Sequence, residues 1–176
     1  MRFEGLERYI TGVLTPLTAV RTRNNLGVGE FADLPLLAEW CASLNLDLIQ
    51  LLPVNDTGSQ SSPYNALSAF ALHPIYLRIT DLPEYETLGA ADRLAVEQEL
   101  ESVRAGHADR PRVQYEEILE AKLRITHTVF SATEWNDALD AATHHYMSDN
   151  PWVRSYATFK LLKRRNDQKP WREWRE

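Results

Sequence analysis

The chain has 176 residues, 44% hydrophobic, 25% charged and 10% aromatic, the balance of a soluble globular protein with enough apolar material for a core rather than of a disordered one. A formal net charge of -6 and a pI near 5.4 give no general attraction to phosphate backbones or anionic lipid, which excludes nucleic acid and membrane as default partners. The opening Met1 to Arg8 is charged throughout without an apolar core of signal-peptide length, and no later segment approaches the roughly 20 apolar residues of a membrane span, so a cytoplasmic protein is expected.

Ile10 to Leu14 is a short β-prone run that ends at Thr15-Pro16, where proline removes a backbone donor. Arg21 to Gly29 reads as a loop, and Asp33 with Pro35 opens a helical pattern at Leu36, Leu37, Trp40, Cys41 and Leu44. Cys41, the single cysteine, sits among apolar neighbours and reads as a small core residue without a disulfide partner. Leu46 to Pro53 is a nearly continuous apolar run of strand length, expected in a parallel sheet covered on both faces. Together these segments predict a β-loop-α-β unit and an α/β protein, doubly wound or barrel-like.

Asn55 to Tyr64 is a polar loop, after which Leu67 to Leu72 and Ile75 to Ile79 predict a short helix and an extended piece. From Pro83 the chain turns to charged helices. They are predicted at Ala90 to Val103, at Tyr115 to Phe130 with Tyr115, Ile118, Leu119, Lys122, Ile125 and Val129 on one face, at Glu134 to Met147, and, past Asp149-Asn150-Pro151, at Trp152 to Arg165. The final Trp171 and Trp174 are apolar surface at a terminus, expected to pack against something outside the chain.

Read in order, Gly12 to Thr18, Leu26 to Phe31, Gln50 to Pro53, Ser62 to Ala71 and Pro74 resemble the opening of an amylomaltase, a 4-α-glucanotransferase of glycoside hydrolase family 77. Ser62-Pro63-Tyr64 with the Ser68-Ala69-Phe70-Ala71 tail is the most specific block. Val113-Gln114-Tyr115, Trp152 to Leu162 and Lys169-Pro170-Trp171 are similar to later family segments. The resemblance implies the first strands and helices of a (β/α)8 TIM barrel with a helical insertion subdomain, the barrel being incomplete in this chain, since such barrels run to about 250 residues. It divides the chain into residues 1–82, the first β/α units; residues 83–150, the insertion; and residues 151–176, a helix leading back towards the remainder of the barrel.

The resemblance further implies transfer of α-1,4-glucan segments between malto-oligosaccharides with retention, by a carboxylate nucleophile and an acid/base carboxyl group. In the family those acids lie downstream of the matched region, so no catalytic residue is expected in this chain and the chain alone is expected to be inactive. What carries over is a piece of the donor-side sugar site, Ser62 and Tyr64; a tyrosine offers a pyranose ring both a flat apolar face and a hydroxyl. The expected partners are an α-glucan or malto-oligosaccharide and the carboxyl-terminal part of the same enzyme, with no organic cofactor. A non-catalytic remnant that persists as a glucan-binding or interaction module is the alternative.

Other patterns read more plainly. Gly27-Val28-Gly29 precedes a helix as a dinucleotide loop would, but the third glycine falls at Ala32 and no strand immediately precedes the pair, so the glycines serve a tight turn. The five histidines, His73, His107, His127, His144 and His145, form no metal-ligand spacing, and His144-His145 fit a solvated helix edge. Glu116-Glu117 and Glu97, Glu99 and Glu101 read as solvated helix faces. Asp47 falls at the start of the second strand and Asp56 in a mobile loop, and neither matches a catalytic position of the family.

Overall fold

The structure, a computed structural model, describes residues 9–174. The chain forms two compact units, one ending at Thr133 and the other beginning at Glu134.

In the first unit, strand β1 (Gly12–Thr15) pairs in parallel with strand β2 (Leu48–Leu51), Gly12 opposite Leu48 and Thr15 opposite Leu51. Helix α1 (Leu34–Ser43) lies on the connection, as parallel pairing requires a crossover. Pro35 fits its first turn, where no backbone donor is needed. Past its last turn Asn45 takes a left-handed φ of 55°, the conformation that asparagine tolerates best after glycine. Asp47 sets the register: its N–H donates to the Thr11 carbonyl at 2.7 Å and its Oδ2 accepts from the Thr11 N–H at 3.1 Å.

The apolar run of β2 was expected to be covered on both faces, and it is not. Leu48 is 49% exposed, and burial along both strands alternates between exposed and partly covered. On α1, Cys41 is buried while Leu36, Trp40 and Leu44 are exposed. Two strands and one helix supply too few neighbours to enclose these side chains.

The core sits instead between the segments 17–28 and 75–88 and two long helices, α3 (Ala90–His107) and α4 (Tyr115–Ala132). On α4 the expected face is the buried one, with Ile118, Leu119, Lys122, Ile125 and Val129 inside. Its spacing of three and four residues keeps these side chains on one stripe, and each such Ile or Val contributes about 1.5–3 kcal/mol by leaving water. Across the core they meet Val96, Leu100 and Val103 of α3, together with Ile75 and Ile79. The stretch expected to hold a short helix forms two single 3-10 turns, Pro74–Tyr76 and Ile79–Asp81, and the one-turn helix α2 (Pro83–Glu86) follows. Between the two turns Leu77 and Arg78 are extended, with ψ of 131° and 111°, which keeps them from merging into one helix.

Lys122, in the middle of that apolar stripe, is 1% exposed. Its Nζ donates to Glu30 Oε1 at 2.5 Å and to the carbonyls of Ile75 at 2.6 Å and Leu77 at 2.8 Å, which uses all three of its donors. Arg78 bridges the other Glu30 oxygen at 2.7 Å and Asp33 Oδ1 at 2.5 Å, and Asn25 donates to Asp33 Oδ2 at 3.1 Å. Two cations thus face two carboxylates in a network that ties the 25–33 loop, the 75–78 segment and α4 together. Burial pushes Lys122 below the ordinary lysine range, with the Glu30 charge acting against that. For Asp33, burial alone would raise the carboxyl, but hydrogen bonds from Thr22, the Glu30 N–H, Asn25 and Arg78 outweigh it and hold the group below its ordinary 3.8.

The glycine pair before α1 does serve a turn, for two distinct reasons. Gly27 has φ +86°, and a Cβ there would lie 2.7 Å from the His107 carbonyl oxygen. At Gly29 a Cβ would stand 2.0 Å from the Leu17 carbonyl oxygen and 2.5 Å from that of Val20.

The second unit holds helix α5 (Asp137–Asp149) and helix α6 (Trp152–Arg165). Asn136 caps α5 through its Oδ1, which accepts from the Leu139 N–H at 3.0 Å. Trp152, Tyr156 and Phe159 form a row of rings along α6, with centroids 6.3 and 6.4 Å apart. Trp174 closes the row at 5.7 Å from Phe159, whereas Trp171 remains 69% exposed. His144 and His145 stand on a solvated edge, as their adjacency implied. No helix among the described residues is long and apolar enough to cross a membrane.

Candidate functional site

Beyond the carboxyl end of β2 the chain makes a long loop whose base is closed by an antiparallel bridge between Asn55 and Leu72. Within the base, the Asp56 N–H donates to the Ala71 carbonyl at 2.8 Å and the His73 N–H to that of Val54 at 3.0 Å. The two predicted site residues ride on this loop. Ser62 accepts from the Asn65 N–H through its carbonyl at 3.2 Å, a turn that presents Tyr64 outwards while Pro63 is partly covered. Tyr64 is 74% exposed.

Asp56, expected in a mobile loop, is 3% exposed and anchors the loop. Its carbonyl accepts from the Leu67 N–H at 2.7 Å and its Oδ1 from the Gly58 N–H at 2.7 Å. The side-chain hydrogen bond to its own backbone two residues on is the reason an aspartate suits this turn. Gly58 follows with φ +65°.

Beneath the loop lies a buried cluster that was not expected from the sequence. His73 is 2% exposed; its Nδ1 accepts from the Ile75 N–H at 3.1 Å, so in the neutral ring the proton sits on Nε2. That Nε2 lies 3.0 Å from the Gly58 carbonyl oxygen, 2.5 Å from Tyr115 Oη and 3.7 Å from Asp56 Oδ1. Tyr115 Oη is also 3.0 Å from Thr57 Oγ1, which donates to the Gln60 carbonyl at 2.5 Å. Burial pushes the Tyr115 phenol up to about 12, so at any ordinary pH it is a neutral hydroxyl that can both donate and accept a hydrogen bond, and not a phenolate base.

Ser62 lines a cleft of about 520 Å³ between the loop and the start of α4. Ser59, Gln60 and Ser61 share the loop wall, and Val113 to Glu117 form the other. Hydroxyls, amides and carboxylates around an open cleft suit a neutral polyhydroxylated ligand better than an anion or an apolar one. Tyr64 is not among the lining residues, so the structure does not bring it into the same cleft as Ser62. The acids of this region give no matched catalytic pair among the described residues. Glu30, Asp33 and Asp56 are buried in the contacts above, and the neighbouring Glu116 and Glu117 are both exposed at the first turn of α4.

His73, Thr57 and Tyr115 escaped the sequence reading for a physical reason. Tyr115 was legible as the first residue of an apolar helix face and His73 only as one of five histidines without a metal-ligand spacing, but their partnership joins positions 42 residues apart. No local period encodes such a contact.

Residues 15–176 match a family model, Glyco_hydro_77, described as 4-alpha-glucanotransferase. The chain is 33% identical over 169 residues to the 4-alpha-glucanotransferase of Chlamydia pneumoniae, an alignment covering 93% of this chain and 30% of that protein. It is 34% identical over 158 residues to a 4-alpha-glucanotransferase of Oryza sativa subsp. japonica, covering 86% and 16%. The chain therefore spans about a third or less of the length of these curated relatives. Among solved structures, amylomaltase from Corynebacterium glutamicum superposes with a TM-score of 0.76 over 95% of this chain and 24% of that one, at 22% identity, which bears on the fold alone.

Proposed function

We propose, from the premise that this chain belongs to the 4-alpha-glucanotransferase family, that it is the part of such an enzyme that builds the first barrel strands and presents Ser62 and Tyr64 to an α-1,4-glucan. In this reading residues 1–82 supply the opening β/α units, residues 83–150 the helical insertion and residues 151–176 the return towards the barrel. The observation that carries it is the placement of the loop. It leaves the carboxyl end of a parallel strand, the end at which barrel enzymes carry their sites, and it sets Ser62 in a polar cleft and Tyr64 in the open.

The reaction is segment transfer between malto-oligosaccharides with retention, which needs a carboxylate nucleophile and a second carboxyl group about 5–5.5 Å away. The buried acids among the described residues are held in ion pairs and turns, which supports the reading that the reacting carboxylates lie outside this chain. Ser62 and Tyr64 then bind and orient the donor sugar: a hydroxyl for hydrogen bonding and a ring face for the pyranose. The protein works in the cytoplasm, with no organic cofactor.

The test is disproportionation of maltotriose by the product of the full reading frame, wild type against Tyr64→Ala. Transfer that retains configuration and falls at least tenfold in the variant supports the proposal. Equal rates, or hydrolysis without transfer, overturn it. A second reading, an interaction module, draws on the exposed Leu14 and Leu48 of the two-stranded sheet, which another protein surface could cover. It predicts no transfer from any product of the frame.

A further inference from the structure

We propose that Tyr115 and His73 are positioning residues that set the conformation of the loop bearing Ser62 and Tyr64. The inference rests on the glucan-binding reading for its consequence but not for its geometry.

With His73 Nδ1 committed to the Ile75 N–H at 3.1 Å, the neutral ring has one proton left to give, on Nε2. It shares that proton, in a bifurcated hydrogen bond, between the Gly58 carbonyl at 3.0 Å and Tyr115 Oη at 2.5 Å. The phenol is then left to donate to Thr57 Oγ1 at 3.0 Å, and the threonine hydroxyl to donate to the Gln60 carbonyl at 2.5 Å. Every donor in this series finds an acceptor in a single direction, from a buried turn to the wall of the cleft. Hydrogen bonds in such a chain polarise one another and rigidify the groups they join.

What is tied down is the first arm of the loop, Thr57 to Gln60. What ties it is the start of α4, whose remaining turns are fixed in the core by Ile118, Lys122 and Ile125. The helix therefore acts as a rigid post. The Tyr115 ring also packs edge-on against the His73 ring, with centroids 5.5 Å apart, so removal of the hydroxyl alone leaves the packing in place. The polar contacts then make the difference between a loop in one conformation and a loop in several, and a ligand must select the competent one.

Two variants separate this role from general stability. Tyr115→Phe keeps the ring and loses both hydroxyl contacts. His73→Asn keeps an oxygen that can accept from the Ile75 N–H, since asparagine is itself a good cap, but loses the reach of Nε2. Because both act on one relay, their effects are coupled. The expected result is that each variant speeds hydrogen exchange of the Gly58 and Leu67 amides about tenfold, that the double variant goes little further than either one, and that the amides of α4 from Ile118 onwards keep their protection. Maltoheptaose affinity should fall in the same non-additive pattern. Unchanged exchange at Gly58 and Leu67, or full additivity of the two substitutions, overturns the proposal. Wild-type protein that binds no maltoheptaose overturns the functional reading instead, while the exchange result still decides the positioning role.

Discussion

Lys122→Met should lower stability by about 3–5 kcal/mol in a urea melt, since it leaves the Glu30 carboxylate buried with one cation fewer. A loss below about 1 kcal/mol would mean that Arg78 alone neutralises the site. The neighbouring Asp33 gives the network a pH signature. Its carboxyl titrates below the ordinary 3.8 in the fold, so its contribution is present above that value and is lost as pH falls through the lower, folded one. Wild type and Asp33→Asn should therefore differ in stability at neutral pH and converge on acidification. Tyr115 carries the opposite sign. Its phenol is raised to about 12 from an ordinary 10, so its contribution is present below pH 10 and lost as pH rises towards 12. The 295 nm titration of wild type minus Tyr115→Phe should be centred near 12, and a centre near 10 would show the phenol to be solvated. At this scale the sequence was read well for charge class and poorly for environment: Lys122 stood in the predicted apolar stripe, but which acid faces it depends on a residue 92 positions away.

Among the elements, α4 and α6 were legible because their spacing of apolar residues is strong and their ends are punctuated, α6 by Pro151. Strand β1 was legible through its ending at Pro16. The covering of β2 was not, because a continuous apolar run states what a strand prefers and not which neighbours are present to meet it. The 3-10 turns at Pro74–Tyr76 and Ile79–Asp81 replace a predicted helix because the backbone is extended at Leu77 and Arg78 between them. The element most sensitive to a single methyl group is the turn into α1. Gly29→Ala drives a Cβ against two backbone carbonyls, and neither can retreat as a side chain would. A loss of about 2–3 kcal/mol is expected in thermal or urea melts, and a neutral result would show that the 17–20 segment can shift.

For the molecule as a whole, the family and the α/β character were legible in the order of its motifs, and residues 15–176 match the family model. Of the candidate site, the loop that carries Ser62 and Tyr64 was legible and its surroundings were not. Ser62 does line a cleft and Tyr64 does stand exposed on the same loop, yet the two face different surroundings, and the wall opposite Ser62 comes from the start of α4. A contact between a loop and a helix some 50 residues on has no trace in composition, periodicity or spacing; it exists only once the core has placed α4.

A glucan bound at this loop would perturb the backbone amides around it. Titration of maltoheptaose into the isotope-labelled chain, followed amide by amide, tests that directly. Saturable shifts confined to residues 59–64 and the start of α4, weakened at least tenfold by Tyr64→Ala with an unchanged melting temperature, are the predicted result. Shifts centred elsewhere, or the same affinity in Tyr64→Ala, would contradict it.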